Sequence, residues 1–175
     1  MGEFFYLHHQ PDGTPYSDPN ALGLAVIAAA RDVGLRITLL DTCYLQADVT
    51  GSALTGVQRR FDDGSWQAWV KRLDALANED LVRVGAAIHS VRAVPSDAMA
   101  GIAEYARGRE LPLHVHLSEQ PAENAACVEH FGLTPTELLH ARGVLGPQTT
   151  AVHATHLTEQ DIRLLGGTQT TISMC

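Results

Sequence analysis

Short runs of apolar residues, separated by longer stretches with helical punctuation, repeat along the whole chain. Phe4 to His8, Arg36 to Tyr44 (RITLLDTCY), Leu81 to Ile88 (LVRVGAAI), Pro112 to Leu117 and Thr150 to Ala154 read as strands, and Gln169 to Ser173 begins one more. Between them lie helices with recognisable starts. Asp18-Pro19 supplies a cap and a first-turn proline for Ala21 to Val33, which Gly34 closes. Ser65 caps a helix running to about Asn78, and Ser96 caps one running to Arg109. Helices follow at Pro121 to Phe131 and Pro135 to Arg142, and Thr158 opens another that ends at Gly166-Gly167. The polar, Gly-containing segment Gln46 to Gly64 reads as a loop long enough to carry function.

Strands that are short and almost uniformly apolar, alternating with helices, belong to βαβ units with a parallel sheet covered on both faces. The polar residues of interest sit at the carboxyl ends of several different strands, as on the working face of a (β/α)₈ barrel. The expectation is therefore an α/β fold, a partial TIM barrel. Five clear strands fall short of the eight that a closed barrel needs. Residues 1–175 are expected to form one incomplete barrel domain, lacking its N-terminal and C-terminal portions, with two strand edges left unpaired.

The strand ends carry the chemistry. In Leu113-His114-Val115-His116-Leu117-Ser118-Glu119-Gln120, alternation puts His114 and His116 on one face and Val115 and Leu117 on the other, with Glu119 in the loop beyond. An imidazole pair with a carboxylate close by suits a metal-activated water with a proton acceptor, although two such histidines can also be hydrogen-bonded groups of a half-buried strand. Val152-His153-Ala154-Thr155-His156 and Ile88-His89-Ser90-Val91-Arg92 repeat the theme. Trp66 and Trp69, three apart on one helix, are read as packing. His130 and His140 lie on helices and are given no role.

Composition narrows the classes. With 12 Lys+Arg against 20 Asp+Glu, a net charge of -8 and no basic run, a nucleic-acid surface is not expected. The longest apolar stretch, Leu22 to Ala30, is too short to span a bilayer, and the N-terminus has no signal-type core, so a cytoplasmic protein is expected. Cys43, Cys127 and Cys175 are widely spaced without a Cys-x-x-Cys pair and are each read as a small buried hydrophobe.

Gly2-Glu3-Phe4 with Tyr6-Leu7-His8-His9, His89-Ser90-Val91-Arg92-Ala93-Val94, His114-Val115-His116 with Glu119-Gln120, and Val152 to Thr158 resemble, in order and spacing, segments of the amidohydrolase superfamily. Within it they resemble the formimidoylglutamate deiminases. The resemblance implies zinc as the metal, with His116 its ligand from the fifth barrel strand, Glu119 the proton shuttle, and His153 contacting the metal-bound water. It further implies that His89 and Arg92 bind substrate, Arg92 meeting a carboxylate, and that Tyr6 adds a substrate contact. The implied reaction is hydrolysis of N-formimino-L-glutamate to N-formyl-L-glutamate and ammonia in histidine degradation. The family's His-x-His pair and its last-strand aspartate have no counterpart here, so one ligand of four is present and the chain alone is expected to be inactive. The implied partner is a small molecule with carboxylates, with no nucleic acid and no membrane, and a homodimer is left open. Two other readings stand beside this one: a related amidohydrolase deaminating an aromatic base or nucleoside, against which the 6% aromatic content and Arg92 weigh, and a non-catalytic degenerate barrel acting as a scaffold. His8, His9, His114 and His156 are left between supporting the site and plain packing.

Overall fold

A computed structural model describes residues 1–175. The elements follow in the order β1 (Gly2–Phe5), α1 (Ala21–Asp32), β2 (Ile37–Cys43), a 3-10 helix (Gly56–Phe61), α2 (Trp66–Leu73), β3 (Val82–Ile88), α3 (Ser96–Gly108), β4 (Leu113–Leu117), α4 (Pro121–Phe131), α5 (Pro135–Ala141), β5 (Thr149–His153), α6 (Glu159–Gly167) and β6 (Thr171–Ser173). All six strands pair in parallel and in chain order, β1 to β6. The sheet is curled. Phe4 of β1 stacks on His116 of β4 with ring centroids 3.9 Å apart; at about 4.8 Å per strand a flat sheet would hold them roughly 14 Å apart. The architecture is the expected partial TIM barrel.

Outward-facing residues of the strands bury against the helices. Val84, Ala86 and Ile88 of β3, with Leu113, Val115 and Leu117 of β4, meet Trp69, Met99, Ile102, Leu138 and Leu139, while a smaller cluster joins Phe5, Leu39 and Ile37 to Ile27 and Ala30 of α1. Trp66 and Trp69 pack as expected, Trp69 fully buried and Trp66 against Gly101. Helix starts are well specified. Thr134 and Thr158 form capping boxes with Glu137 and Asp161, and Thr134 Oγ1 donates to Asp161 Oδ1 at 2.6 Å, tying α5 to α6.

Several boundaries differ from the expected ones, each for a local reason. The first strand ends at Phe5, because beyond it the His8 and His9 amides donate to the Arg60 carbonyl instead of to a strand neighbour. Asp18 Oδ1 accepts the Asn20 amide at 2.8 Å, so the turn closes first and Asn20 takes the cap position of α1. The helix from Ser65 stops at Leu73, since Asn78 is used by β3: its Oδ1 accepts the Val84 amide at 2.8 Å. The segment 46–64 contains the 3-10 helix. Cys43 and Cys127 are buried as expected, whereas Cys175 is exposed, lying past the short edge strand β6. No helix is long and apolar enough to cross a membrane.

Candidate active site

The inner, concave face of the sheet gathers one row of rings. His89 follows β3 directly, His116 is the fourth residue of β4 and His153 closes β5; the ring centroids of His89 and His116 lie 5.0 Å apart, and those of His116 and His153 5.4 Å. Alternation accounts for His116, whose neighbours Val115 and Leu117 are fully buried on the opposite face. It does not account for His153. That residue pairs with Leu117, an outward-facing position, yet its ring stacks over His116. The backbone supplies the turn inward, because His153 (φ 69°) and Ala154 (φ 50°) are both left-handed. Such conformations cost about 1–3 kcal/mol each away from glycine and persist where surrounding bonds enforce them. Here the Ala154 amide donates to the Leu117 carbonyl at 2.9 Å and the His156 amide to the Ser118 carbonyl at 3.0 Å.

Hydrogen bonding fixes the His116 ring. Its Nδ1 lies 2.9 Å from the His89 carbonyl, and because a carbonyl only accepts, Nδ1 carries the hydrogen. Nε2 is left with a free lone pair, the form in which imidazole binds a metal, with the other nitrogen held by a backbone oxygen. Burial lowers the His116 pKa and so also favours this neutral form, while the bond to the His89 carbonyl opposes that shift. Burial likewise lowers His89, reinforced by His116 and Arg92, to about 3. The residues thus suit one imidazole ligand. They do not make a cage by themselves: no three His, Cys, Asp or Glu side chains gather around a common point. His114 lies on the same strand and face as His116, half-buried.

Glu119 sits just past β4, where Ser118 (φ 48°) turns the chain, and its Oε2 comes within 3.9 Å of His153 Nε2. Arg92 forms no ion pair and lines, with Glu119, Gln120, Glu123, Asp48 and Val49, a cleft of about 440 Å³. At the other end of the row, Tyr6 approaches His89 at 4.9 Å and Tyr44 approaches it at 4.4 Å, with Phe61 packed on both tyrosines. The six residues singled out in the sequence, Tyr6, His89, Arg92, His116, Glu119 and His153, therefore share one face. Phe4, Tyr44, Phe61 and Glu123 were not foreseen. Tyr44 alone had a signal, a polar-tipped ring at a strand end.

His8 and His9 turn away from this row. His8 Nε2 lies 3.1 Å from the Thr42 carbonyl and 3.0 Å from Arg72 Nη2, and His9 Nε2 is 2.7 Å from the Asp62 carbonyl. Both anchor the loop after β1. His156 is exposed, its carbonyl accepting from Asn124 Nδ2 at 2.6 Å.

Residues 12–175 match the amidohydrolase family. Among curated proteins, formimidoylglutamate deiminase of Pseudomonas aeruginosa is 32% identical over 178 residues, covering 100% of this chain and 39% of the relative. The 8-oxoguanine deaminase of the same organism is 35% identical over 94 residues, 54% of this chain and 21% of the relative. Among solved structures, an amidohydrolase from Brucella melitensis superposes with a TM-score of 0.83 at 29% identity, covering 99% of this chain and 39% of that one. An adenosine deaminase from Xanthomonas campestris with bound zinc superposes with a TM-score of 0.66 at 20% identity, covering 85% and 32%. The chain thus spans about two fifths of the length of the first of these relatives.

Proposed function

The chain belongs to the amidohydrolase family, and from that premise we propose that the protein hydrolyses the formimino group of N-formimino-L-glutamate, releasing ammonia and leaving N-formyl-L-glutamate. The observation that carries this reading is Arg92, a cation without a carboxylate partner in the same cleft as Glu119, beside the His89–His116–His153 row. The identity to a formimidoylglutamate deiminase over the whole chain supports it.

In this reading His116 Nε2 is the ligand that this chain contributes to a zinc ion. Zinc, when bound, supplies a water acidic enough to ionise near neutral pH. Arg92 pairs with a carboxylate of the glutamate moiety, and its fork geometry gives two parallel N–H···O bonds. His89, buried and uncharged at neutral pH, orients the formimino end without adding positive charge beside it. Tyr6 closes the pocket over His89. Glu119 takes a proton at Oε2 as water adds to the C=N carbon and passes it to the imino nitrogen; the proton of the new hydroxyl then moves by the same carboxylate to that nitrogen as the C–N bond breaks, leaving the formyl C=O and ammonia. His153 Nε2 lies beside the proton carrier, 3.9 Å from Glu119 Oε2.

A second reading has one observation in its favour. Tyr6, Tyr44 and Phe61 make an aromatic corner at His89 that would suit a flat base, and an 8-oxoguanine deaminase matches about half of the chain. A substrate panel separates the two: ammonia release from formiminoglutamate, guanine and adenosine by the zinc-loaded full-length enzyme that carries this chain. Formiminoglutamate should be preferred, and Arg92→Ala should raise its KM about 10- to 150-fold, the loss of a charged hydrogen-bonded pair worth about 1.5–3 kcal/mol. Glu119→Gln should abolish turnover and leave zinc content intact. Preference for guanine or adenosine would establish the second reading instead.

A further inference from the structure

Glu123 stands at the third position of α4, where a glutamate ordinarily reaches back to the cap residue's own amide. It does not do so here. Gln120, at the cap, makes no side-chain capping bond, and Glu123 Oε2 instead accepts the Glu119 amide at 3.2 Å, one residue further back. That amide follows directly on Ser118, buried and left-handed, so two constraints meet at the base of one side chain. Ser118 reverses the chain as it leaves β4, and Glu123 holds the next peptide unit.

The arrangement is not what helix capping alone would select. Glu123 is 8% exposed, and its Oε1 is buried without a hydrogen-bond partner. A buried acceptor without a donor is costly and persists only where something else holds the group in place. Burial pushes the Glu123 carboxyl up from the ordinary carboxylate range, opposed by Arg92 and by the bond from the Glu119 amide. Both carboxyls face the cleft that Arg92 lines.

We propose that Glu123 is a positioning residue for Glu119: its buried carboxyl pins the Glu119 amide and so aims the Glu119 carboxylate at His153 across the histidine row. The kinetic consequence rests on the reading of Glu119 as proton carrier; the contact itself does not. Glu123→Gln keeps an oxygen acceptor at the same reach, Glu123→Ala removes it, and Glu123→Asp keeps the carboxyl one methylene too short.

Two readouts in the zinc-loaded full-length enzyme test this. Misplacement of a reacting group by about 1 Å can cost roughly 100-fold in rate, so Glu123→Ala and Glu123→Asp should lower kcat about 10- to 100-fold with KM changed less than about 3-fold, while Glu123→Gln stays within about 3-fold of the parent. Hydrogen exchange at the Glu119 amide, read by NMR, should quicken at least about tenfold in the Ala and Asp variants and not in the Gln variant. If the Ala variant does not fold, the Asp variant carries the same comparison. The proposal is overturned if Glu119 exchange is unchanged in the Ala or Asp variant, or if the Gln variant is as slow as they are. Should Glu119→Gln itself retain turnover, the proton-carrier reading fails, and the exchange comparison still decides the contact.

Discussion

Replacing Arg72 by Met should destabilise the protein more than any other single polar-to-apolar change on α2. The guanidinium is 4% exposed, between Asp41 (1%) and Asp63 (7%). Nη1 and Nη2 reach the two Asp41 oxygens at 2.5 and 2.7 Å, Nε and Nη2 reach the two Asp63 oxygens at 2.9 Å each, and Nη1 also donates to Asn20 Oδ1 at 3.2 Å. Trp69 Nε1 donates to Asp41 Oδ1 at 2.8 Å. Burial alone would loosen the Arg72 proton, but the carboxylates of Asp41 and Asp63 reverse that and hold it charged. Removing the cation leaves two buried carboxylates, and an uncompensated partner of a buried pair costs about 3–5 kcal/mol. For a chain of this length that is a fall in Tm of roughly 6–20 °C. Urea unfolding followed by circular dichroism measures it. A double-mutant cycle adds the mechanism: Arg72→Met with Asp41→Leu should be less destabilised than the two single losses summed, by about 1–3 kcal/mol. A loss under about 1 kcal/mol for Arg72→Met, or strict additivity, would refute the idea that the charges, rather than side-chain volume, hold β2 to α2.

His8 has its pKa lowered by burial, opposed by Asp41, so the unfolded chain takes up a proton on acidification through 6.5 that the fold resists; stability is full above that value and falls below it. His8→Gln should therefore lose less stability than the parent between pH 7 and pH 5, by up to about 2 kcal/mol, and parallel urea midpoints at the two pH values would contradict this. In α3, a Cβ at Gly101 would lie 2.7 Å from the Trp66 ring. Gly101→Ala should lower Tm although alanine gains about 1 kcal/mol of helix propensity, because crowding a packed site costs about 1–3 kcal/mol, and adding Trp66→Leu should restore the loss.

The strand and helix alternation was legible because β3, β4 and β5 are short and almost uniformly apolar on the face that meets the helices. The first strand was overextended, since Tyr6, Leu7 and His8 have strand-like character and only the distant Arg60 carbonyl draws the chain out of the sheet. His116 could be placed by alternation, but His153 could not, its inward turn being set by two left-handed residues that carry no glycine signal. The Asp41–Arg72–Asp63 group was hidden for a different reason. Arg72 near the end of an amphipathic helix looks like a solvated base, and only the acid inside the apolar run of β2 hinted at a buried partner. Glu123 looked like an ordinary first-turn acid for the same reason.

Pairing in strict chain order has a consequence for how such a protein can change. Tyr6, Tyr44, His89, His116 and His153 stand along the row in the order in which the chain reaches them, each at the carboxyl end of a different strand, from β1 to β5. Every strand pairs only with its sequence neighbours, so lengthening or replacing one loop acts first on one position of the row and leaves the other strand pairings as they are. The stretch from β1 through the segment after β3 supplies Tyr6, Tyr44, His89 and Arg92, and it can change while β4 and β5 keep His116, Glu119 and His153 in place. Under the roles proposed above, a new specificity would require only local edits upstream, with the β4 and β5 groups inherited unchanged.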